Sequence, residues 1–288
     1  MPLPLKSTPS SPNTLPSAKH RLNLLLKRFA KDEHYKKQYE TFMNKIIEND
    51  EAEQVPLKEL NNPQSWYIPH FGVYHPKNPN KIRVVFDDSS KVDNCSLNDY
   101  LLQDPDHINS LIGILMQFRR DYVAIICDIE RMFHQFRVLP PFQNYLRFLW
   151  FDGLGNIVPY RMKVHLFGAR SSPACATYGL RYLADQYCKG EPADSEAVSF
   201  VKDNFYVDDG LTSVSTTEDA RLLINHTTKL CESGNILLHK FMSNDKDFMK
   251  SIAQQKRASS VIDIDLGKEA LPTERALGIQ WDVENDGF

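Results

Sequence analysis

The chain has 288 residues, of which 42% are hydrophobic and 11% aromatic, so it can bury the core of one large domain or of two. Its formal net charge of −3 argues against a uniformly basic surface, so binding to a polyanion would need a local basic groove. The five cysteines are scattered and contain no Cys-x-x-Cys pair, which disfavours a zinc site or a disulfide framework and favours a reducing compartment.

The N-terminal part of the chain divides into two segments. Residues 1–18 are rich in proline and serine and are predicted to be disordered, as a linker or the edge of a longer polyprotein. Residues 19–65 are predicted to form a basic helical arm, because apolar residues recur at helical spacing from Leu22 through Leu25 to Phe29. The lysines and arginines of this arm are interpreted as a solvated helix face, with contact to nucleic acid as the alternative.

Membrane association and secretion are not expected. No apolar run approaches the roughly 20 residues of a membrane helix. The N-terminus lacks the apolar core of a signal peptide. The sequence therefore predicts an intracellular protein.

A strong strand is predicted over residues 81–87, after an extended segment that begins at Trp66. Lys81 and Arg83 are two residues apart on this strand and therefore share a face. Two interpretations are open. Arg83 either forms an ion pair with Asp87 or Asp88, or joins Lys81 as a pair of cations that bind a triphosphate.

Asp128 is the first candidate metal ligand. A helix interrupted near Asp104 and Pro105 is predicted over residues 97–118. The continuous apolar run at 122–127 that follows is typical of a strand buried on both faces at the centre of a sheet. Asp128 ends this run, and a carboxylate at the end of a buried strand is costly unless it is paired or binds a metal.

The chain beyond Asp128 alternates strands and helices. A short strand is predicted at 136–139, and a hairpin at 146–164 around the glycine-rich turn 152–156. A loop at 167–173 leads into a helix, with Ser172 as its N-cap and Pro173 at the first helical position. An amphipathic helix at 220–231, a strand at 236–240, a polar segment at 243–270 and a last short strand at 277–281 complete the prediction.

Asp208 and Asp209 stand between two apolar runs, which predicts a tight hairpin with both carboxylates at its tip. Alone, an Asp-Asp-Gly turn is more typical of a solvated surface. Asp128 as a third acid changes this interpretation, because carboxylates that repel one another are stabilised by a cation between them. Mg²⁺ or Mn²⁺ would suit such oxygen ligands, and two ions could assist an in-line phosphoryl displacement.

In order along the chain, these motifs resemble the reverse transcriptases of LTR retrotransposons, most closely those of the Pao/BEL type. The resemblance runs from about Trp66 to Trp281. The matching stretches are 82–87, 96–99, 127–135, 167–174, 206–209, 234–240 and 277–278.

The resemblance implies an RNA-directed DNA polymerase that transfers a dNTP to a primer 3′-hydroxyl. The implied catalytic residues are Asp128, Asp208, Asp209 and Lys240; the three aspartates hold the metal and Lys240 protonates pyrophosphate. The implied nucleotide-binding residues are Lys81, Arg83, Phe133, Phe167 and Gly168, and Phe133 is expected to check the sugar 2′ position. The implied primer and template contacts are Tyr206, Ser172, Pro173, Leu277 and Gly278.

The fold class predicted is α+β, an antiparallel sheet packed on helices, and the resemblance implies a right-hand polymerase palm and fingers with the thumb missing or truncated. The fingers would span 66–122 and 141–160, the palm 123–140 and 161–242, and a variable segment with a primer-grip-like end 243–288. Expected partners are an RNA or DNA template with primer, and dNTPs. RNase H and integrase regions are expected in the full polyprotein, together with a particle-associated cytoplasmic location and a possible nuclear stage.

Two other functions are compatible with parts of the sequence. A catalytically inactive nucleic-acid-binding fragment of the same kind of polyprotein would bind RNA or DNA in a salt-sensitive manner without incorporating nucleotides. An aspartic peptidase is disfavoured, because neither Asp-Thr-Gly nor Asp-Ser-Gly occurs in the chain.

Overall fold

The computed structural model of the chain describes residues 1–9, 13–75, 78–103, 107–187 and 192–287. The chain forms two compact units, each built from separate stretches. The first unit comprises Met1–Pro105 and Phe133–Cys175, and the second comprises Asp106–Met132 and Ala176–Phe288. Both combine helices with antiparallel strands, so the predicted mixture of helices and antiparallel sheets is confirmed.

The helices and strands have the following bounds. The helices are α1 (Leu15–Phe29), α2 (Glu33–Glu48), α3 (Leu97–Tyr100), α4 (Leu111–Phe118), α5 (Met132–Gln135), α6 (Pro140–Gln143), α7 (Ser172–Tyr187), α8 (Pro192–Asp203), α9 (Thr217–Ser233) and α10 (Lys246–Ser251). The strands are β1 (Ala52–Gln54), β2 (His70–His75), β3 (Asn78–Phe86), β4 (Val123–Ile129), β5 (Arg147–Phe151), β6 (Ile157–Met162), β7 (Phe205–Tyr206), β8 (Asp209–Val214), β9 (Leu238–Ser243), β10 (Thr273–Ala276) and β11 (Ile279–Asp282).

The first unit packs α1 and α2 with a three-stranded sheet, β1-β6-β5, and a two-stranded sheet, β2-β3. Helix α2 buries one face, because Tyr35, Tyr39 and Met43 recur every four residues. Its N-terminus is capped by Asp32, whose carboxylate accepts a hydrogen bond from the Tyr35 backbone N–H. The ring of Tyr39 stacks on Trp150 of β5, with 5.6 Å between ring centroids. An aromatic core therefore joins the helices to the sheet.

The prediction of disorder for residues 1–18 is wrong for the described part of that segment. Leu3 is buried, Leu5 forms a β-bridge with Leu101, and α1 begins at Leu15. The side chain of Thr14 also accepts a hydrogen bond from the Tyr67 backbone. Prolines and serines suggest a solvated linker, but the leucines among them reach the core of the first unit and fix the segment in place.

The second unit is organised around a four-stranded antiparallel sheet of order β7-β8-β4-β9. Strand β4 lies between two partners and is buried over most of its length, as its continuous apolar run predicts. Helix α9 packs against β4 and β8, and its N-cap is Thr216. Strands β10 and β11 form a separate hairpin whose Trp281 packs against Phe118 of α4.

Other predicted elements differ in extent. The arm at 19–65 contains two helices, α1 and α2, separated by a short turn. The segment at 136–139 is not a strand and makes only an isolated bridge, Arg137 to Val164. The segment at 97–118 forms the separate helices α3 and α4, and the interruption predicted at Asp104 and Pro105 lies outside the described residues. The polar segment at 243–270 contains α10, which buries Phe248 and Met249.

The predicted fingers and palm boundaries stay a prediction. A predicted division at 122/123 separates α4 from β4, whereas both belong to the second unit. No helix in the described part of the chain is both long enough and apolar enough to cross a lipid bilayer.

Candidate active site

Three of the predicted acids meet at the end of β4. In the β4–β8 ladder, Asp128 is the register partner of Asp209. The backbone N–H of Ile129 donates to the carbonyl of Asp208 at 2.9 Å. The buried strand therefore carries Asp128 to the end of the hairpin where Asp208 and Asp209 lie.

The turn between β7 and β8 is the predicted hairpin. Tyr206 pairs with Asp209, which leaves Val207 and Asp208 as a two-residue connection. Val207 has φ +57°, the left-handed backbone that such tight turns require but that a β-branched residue rarely adopts. A Cβ on Gly210 would lie 2.6 Å from the ring of Phe205, so a larger residue here would require that ring to move.

Two consecutive residues of β9 hold the carboxylate of Asp128. His239 Nε2 lies 2.9 Å from Oδ1, and Lys240 Nζ donates to Oδ2 at 2.5 Å. Neighbouring residues of a regular strand face opposite sides of the sheet. Here the β4–β9 register shifts between Ile126 and Asp128, and Lys240 has φ +52°. The resulting bulge allows both side chains to reach one acid.

The carboxylates have unequal electrostatic environments. Burial alone would raise the pKa of Asp128, but hydrogen bonds from His239 and Lys240 outweigh it and hold this pKa below its usual value. For Asp209, burial and then the neighbouring carboxylates of Asp208 and Asp128 raise the pKa to about 6. Of these two carboxyls, Asp209 is therefore the more readily protonated.

The donor chemistry of this site fits a hard divalent cation, since carboxylate oxygens are the ligands that Mg²⁺ and Mn²⁺ prefer. The arrangement itself is not that of a formed metal centre. Among the described residues, no three His, Cys, Asp or Glu side chains are grouped closely enough to hold a metal ion. In this arrangement the cation against Asp128 is the ammonium of Lys240.

The predicted nucleotide-binding residues lie in the first unit, and three of them form one cluster. The guanidinium carbon of Arg83 lies 3.6 Å from the ring centroid of Phe167, and the Phe167 and Phe133 centroids are 5.7 Å apart. Lys81 and Arg83 are both exposed on β3, while Ile82 between them is buried, so the two cations share a face as predicted.

The loop that carries Phe167 is anchored by Asn98. The Asn98 amide donates to the carbonyl of Gly168 at 3.1 Å and accepts from the backbone N–H of Arg170 at 2.8 Å. Gly168 has φ +116°, and a Cβ there would lie 3.1 Å from the Phe86 carbonyl oxygen. Only glycine satisfies both constraints.

The predicted primer and template residues lie on three separate elements of the chain. Tyr206 is partly exposed in β7, and Pro173 is partly exposed in the first turn of α7. Leu277 and Gly278 form the β10–β11 turn, with φ values of +49° and +88°. Ser172 is completely buried in this structure, and its assignment to template contact stays a prediction.

His239 and Asn98 are the residues that sequence reasoning missed as parts of these sites. His239 directly precedes Lys240, but strand alternation alone turns the two apart. Asn98 lies in a stretch that the resemblance matches, 96–99, without a role assigned to it. Its neighbours in space become evident only from the folded loop.

Comparison with known proteins identifies a similar fold but no family. No protein-family model matches the chain, and no curated protein matches it significantly. The foamy viral protease–reverse transcriptase dRH in complex with double-stranded DNA has a TM-score of 0.54 at 15% identity, over 72% of this chain and 31% of that one. The native Prototype Foamy Virus protease–reverse transcriptase has a TM-score of 0.53 at 15% identity, over 75% and 25%. A further foamy viral complex with double-stranded DNA has 0.51 at 17%, over 72% and 37%.

At these identities the likeness shows the fold alone. The chain has a fold similar to that of a reverse transcriptase, and it spans between 25% and 37% of the length of these solved chains.

Proposed function

We propose that the chain is the RNA-directed DNA polymerase region of a retrotransposon polyprotein of the Pao/BEL type. The fold, which is similar to that of viral reverse transcriptases, supports the polymerase class. The order of the sequence motifs from Trp66 to Trp281 supports the element type. RNase H and integrase regions of the same polyprotein belong to this proposal.

The observation that carries the proposal is the meeting of three acids at one edge of the second unit's sheet. Asp128 pairs in register with Asp209, and Asp208 lies in the adjoining turn. Placing like charges together is unfavourable in a purely structural role. In a nucleotidyl transferase, such a cluster binds the cations that stabilise negative charge on the phosphates during the reaction.

In the proposed reaction, Asp128, Asp208 and Asp209 would hold Mg²⁺ or Mn²⁺. Bound ions of this kind favour ionisation of a primer 3′-hydroxyl and neutralise charge on the phosphates. The chain's own contribution from β9 is Lys240, whose ammonium is already beside Asp128. In this role Lys240 donates a proton to the departing pyrophosphate.

The remaining roles concern substrate binding. Arg83 and Lys81 bind the triphosphate of a dNTP through charge-assisted hydrogen bonds. The ring of Phe133 excludes a ribose 2′-hydroxyl. For the primer and template, the proposed contacts are Tyr206, Pro173, Leu277 and Gly278.

Primer extension on an RNA template tests the proposal. Asp128→Asn and Asp208→Asn should each lower the rate of dNTP incorporation by at least about 100-fold, because electrostatic stabilisation is usually the largest catalytic term. Asp203→Asn changes an exposed acid at the end of α8 and should leave the rate unchanged. Full activity in either active-site variant would rule the mechanism out.

One observation favours the alternative of a non-catalytic nucleic-acid-binding fragment. Both oxygens of Asp128 are already held by side chains of the chain itself. This fragment would bind primer–template with an affinity that falls with salt, and added Mg²⁺ would produce no incorporation. Titration of Mg²⁺ in the presence of primer–template and dNTP distinguishes the two functions, because incorporation appears only for the polymerase.

A further inference from the structure

The guanidinium of Arg83 lies over an aromatic ring. Its guanidinium carbon lies 3.6 Å from the centroid of Phe167, well inside the roughly 6 Å range of cation–π attraction. This distance requires the guanidinium to lie over the ring face. Face contact uses none of the N–H donors, which project from the edge of the guanidinium plane.

The acids that follow Arg83 on the chain do not neutralise it. Asp87 pairs with Arg21 at 3.7 Å. Asp88 is 2% exposed, and its carboxyl oxygens have no hydrogen-bond partner among the described residues. Burial, with a smaller effect from Asp87, raises the pKa of Asp88 to about 8, so this carboxyl is mainly neutral at pH 7. Arg83 therefore keeps a positive charge that no described carboxylate pairs with.

The ring of Phe167 is held independently of Arg83. Phe133 packs against it with 5.7 Å between centroids and an angle of 46°. The next residue, Gly168, is tied by its carbonyl to the Asn98 amide and has a backbone that only glycine adopts readily. The ring of Phe167 is half-exposed. The tie of the neighbouring Gly168 backbone to Asn98 and the packing of Phe133 against the ring restrict its position.

We propose that Phe167 is a positioning residue that acts through Arg83, holding the guanidinium by its face so that its N–H edge is presented to the triphosphate of an incoming nucleotide. The identity of the ligand rests on the proposed function. A bidentate guanidinium contact to phosphate depends on orientation more than on charge alone. A side chain held in place before binding loses less conformational freedom when the ligand arrives.

The proposal differs from direct stacking of Phe167 on a nucleobase or sugar. Inorganic triphosphate has neither, so it reaches Phe167 only through Arg83. The test is to measure, by calorimetry on the full chain, the equilibrium dissociation constants of inorganic triphosphate and of dTTP.

Phe167→Leu should weaken binding of both ligands by about two- to fivefold, the factor expected from loss of an exposed cation–π contact. Phe167→Tyr keeps the ring face and should bind within about twofold of the unaltered chain. Phe71→Leu is the matched control, because Phe71 lies near another arginine, Arg21, at 5.8 Å in the same unit, and it should have no effect.

The double-variant cycle decides whether the effect passes through Arg83. Once Arg83→Gln has been made, Phe167→Leu should cause no further loss. Independent, multiplicative losses would overturn the proposal. So would weakened binding of dTTP with unchanged binding of inorganic triphosphate, or the absence of triphosphate binding to the unaltered chain.

Kinetics separate this inference from the proposed function. If primer extension occurs, Phe167→Leu should raise the KM for dNTP and leave kcat and the KM for primer–template unchanged. If the chain never incorporates nucleotides, the proposed function fails, while coupled triphosphate binding by Phe167 and Arg83 still supports the positioning role.

Discussion

Asp88 is a buried acid whose ionisation should affect the stability of the folded protein. It lies two residues beyond the end of β3, near Gly168, where a Cβ on that glycine would lie 3.7 Å from Asp88 Oδ2. With no described hydrogen-bond partner, its carboxyl is retained mainly in the neutral form. Stability should therefore depend on pH through this residue.

We expect Asp88→Asn to stabilise the protein at high pH. The folded-state pKa of about 8 lies above the usual value of 3.8, so between these pH values the folded state binds more protons than the unfolded state. The contribution of Asp88 to the free energy of unfolding is therefore fully present below pH about 4 and is lost as the pH rises through about 8. Asparagine cannot ionise, so the variant should gain on the order of 2 kcal/mol at pH 8 and little at pH 4.

Urea denaturation at both pH values measures this difference. Asp93→Asn is the control, because Asp93 is an exposed acid on the same loop and its replacement should change stability by less than about 0.5 kcal/mol. An equal effect of Asp88→Asn at pH 4 and pH 8 would contradict a raised pKa.

At the scale of elements, the β7–β8 hairpin combines a strained turn with the candidate active site. Val207 adopts a left-handed backbone immediately before Asp208. Such a conformation costs an L-residue about 1–2 kcal/mol. Strain of this kind persists where neighbouring structure fixes the chain, and here the pairing of Tyr206 with Asp209 does so.

Val207→Gly should raise the free energy of unfolding by up to about 1 kcal/mol, because relief of strain exceeds the entropic cost of glycine. The matched control is Val214→Gly at the end of β8, which has no positive φ and should lose about 1 kcal/mol. Chemical denaturation compares the two variants. A loss at Val207 as large as that at Val214 would show that the turn is not strained.

Sequence periodicity predicted the elements whose partners lie close by in the chain or whose pattern is strong. The continuous apolar run of β4 and the β5–β6 hairpin are examples. The N-terminal segment was missed because its placement depends on distant residues, as in the bridge of Leu5 to Leu101, about a hundred positions away. Local pattern carries no information about such distant contacts.

The same distinction holds for the candidate site. Asp128, Asp208 and Asp209 could be recognised because acids at the ends of apolar runs are unusual. The contact of His239 with Asp128 could not be predicted, because it depends on a register shift between two strands that lie more than a hundred residues apart in the chain. Burial of Asp88 was also missed, because two consecutive acids normally indicate surface.

At the scale of the whole molecule, neither unit is continuous in sequence. The second unit receives β4 from residues 106–132, and its other three sheet strands from the part that begins at residue 176. Strand β4 stands between β8 and β9, which have no ladder with each other. The sheet therefore depends on a segment that the chain supplies before completing the first unit.

A fragment of residues 176–288 should not fold cooperatively, because removal of β4 leaves β8 and β9 without their shared partner and exposes the buried face of α9. Thermal melting by circular dichroism should show a sigmoidal transition for the full chain and none for the fragment. A cooperative transition in the fragment alone would contradict this dependence.

The bulge in β9 makes the length of that strand as important as its composition. Between the residues opposite Ile126 and Asp128, β9 contains one residue more than regular pairing allows. Deleting Phe241 would restore strict alternation, and then His239 and Lys240 could no longer both face Asp128. When related chains are aligned, a single-residue gap at this point would therefore indicate that the contacts of His239 and Lys240 with Asp128 have changed, even where all three residues are present.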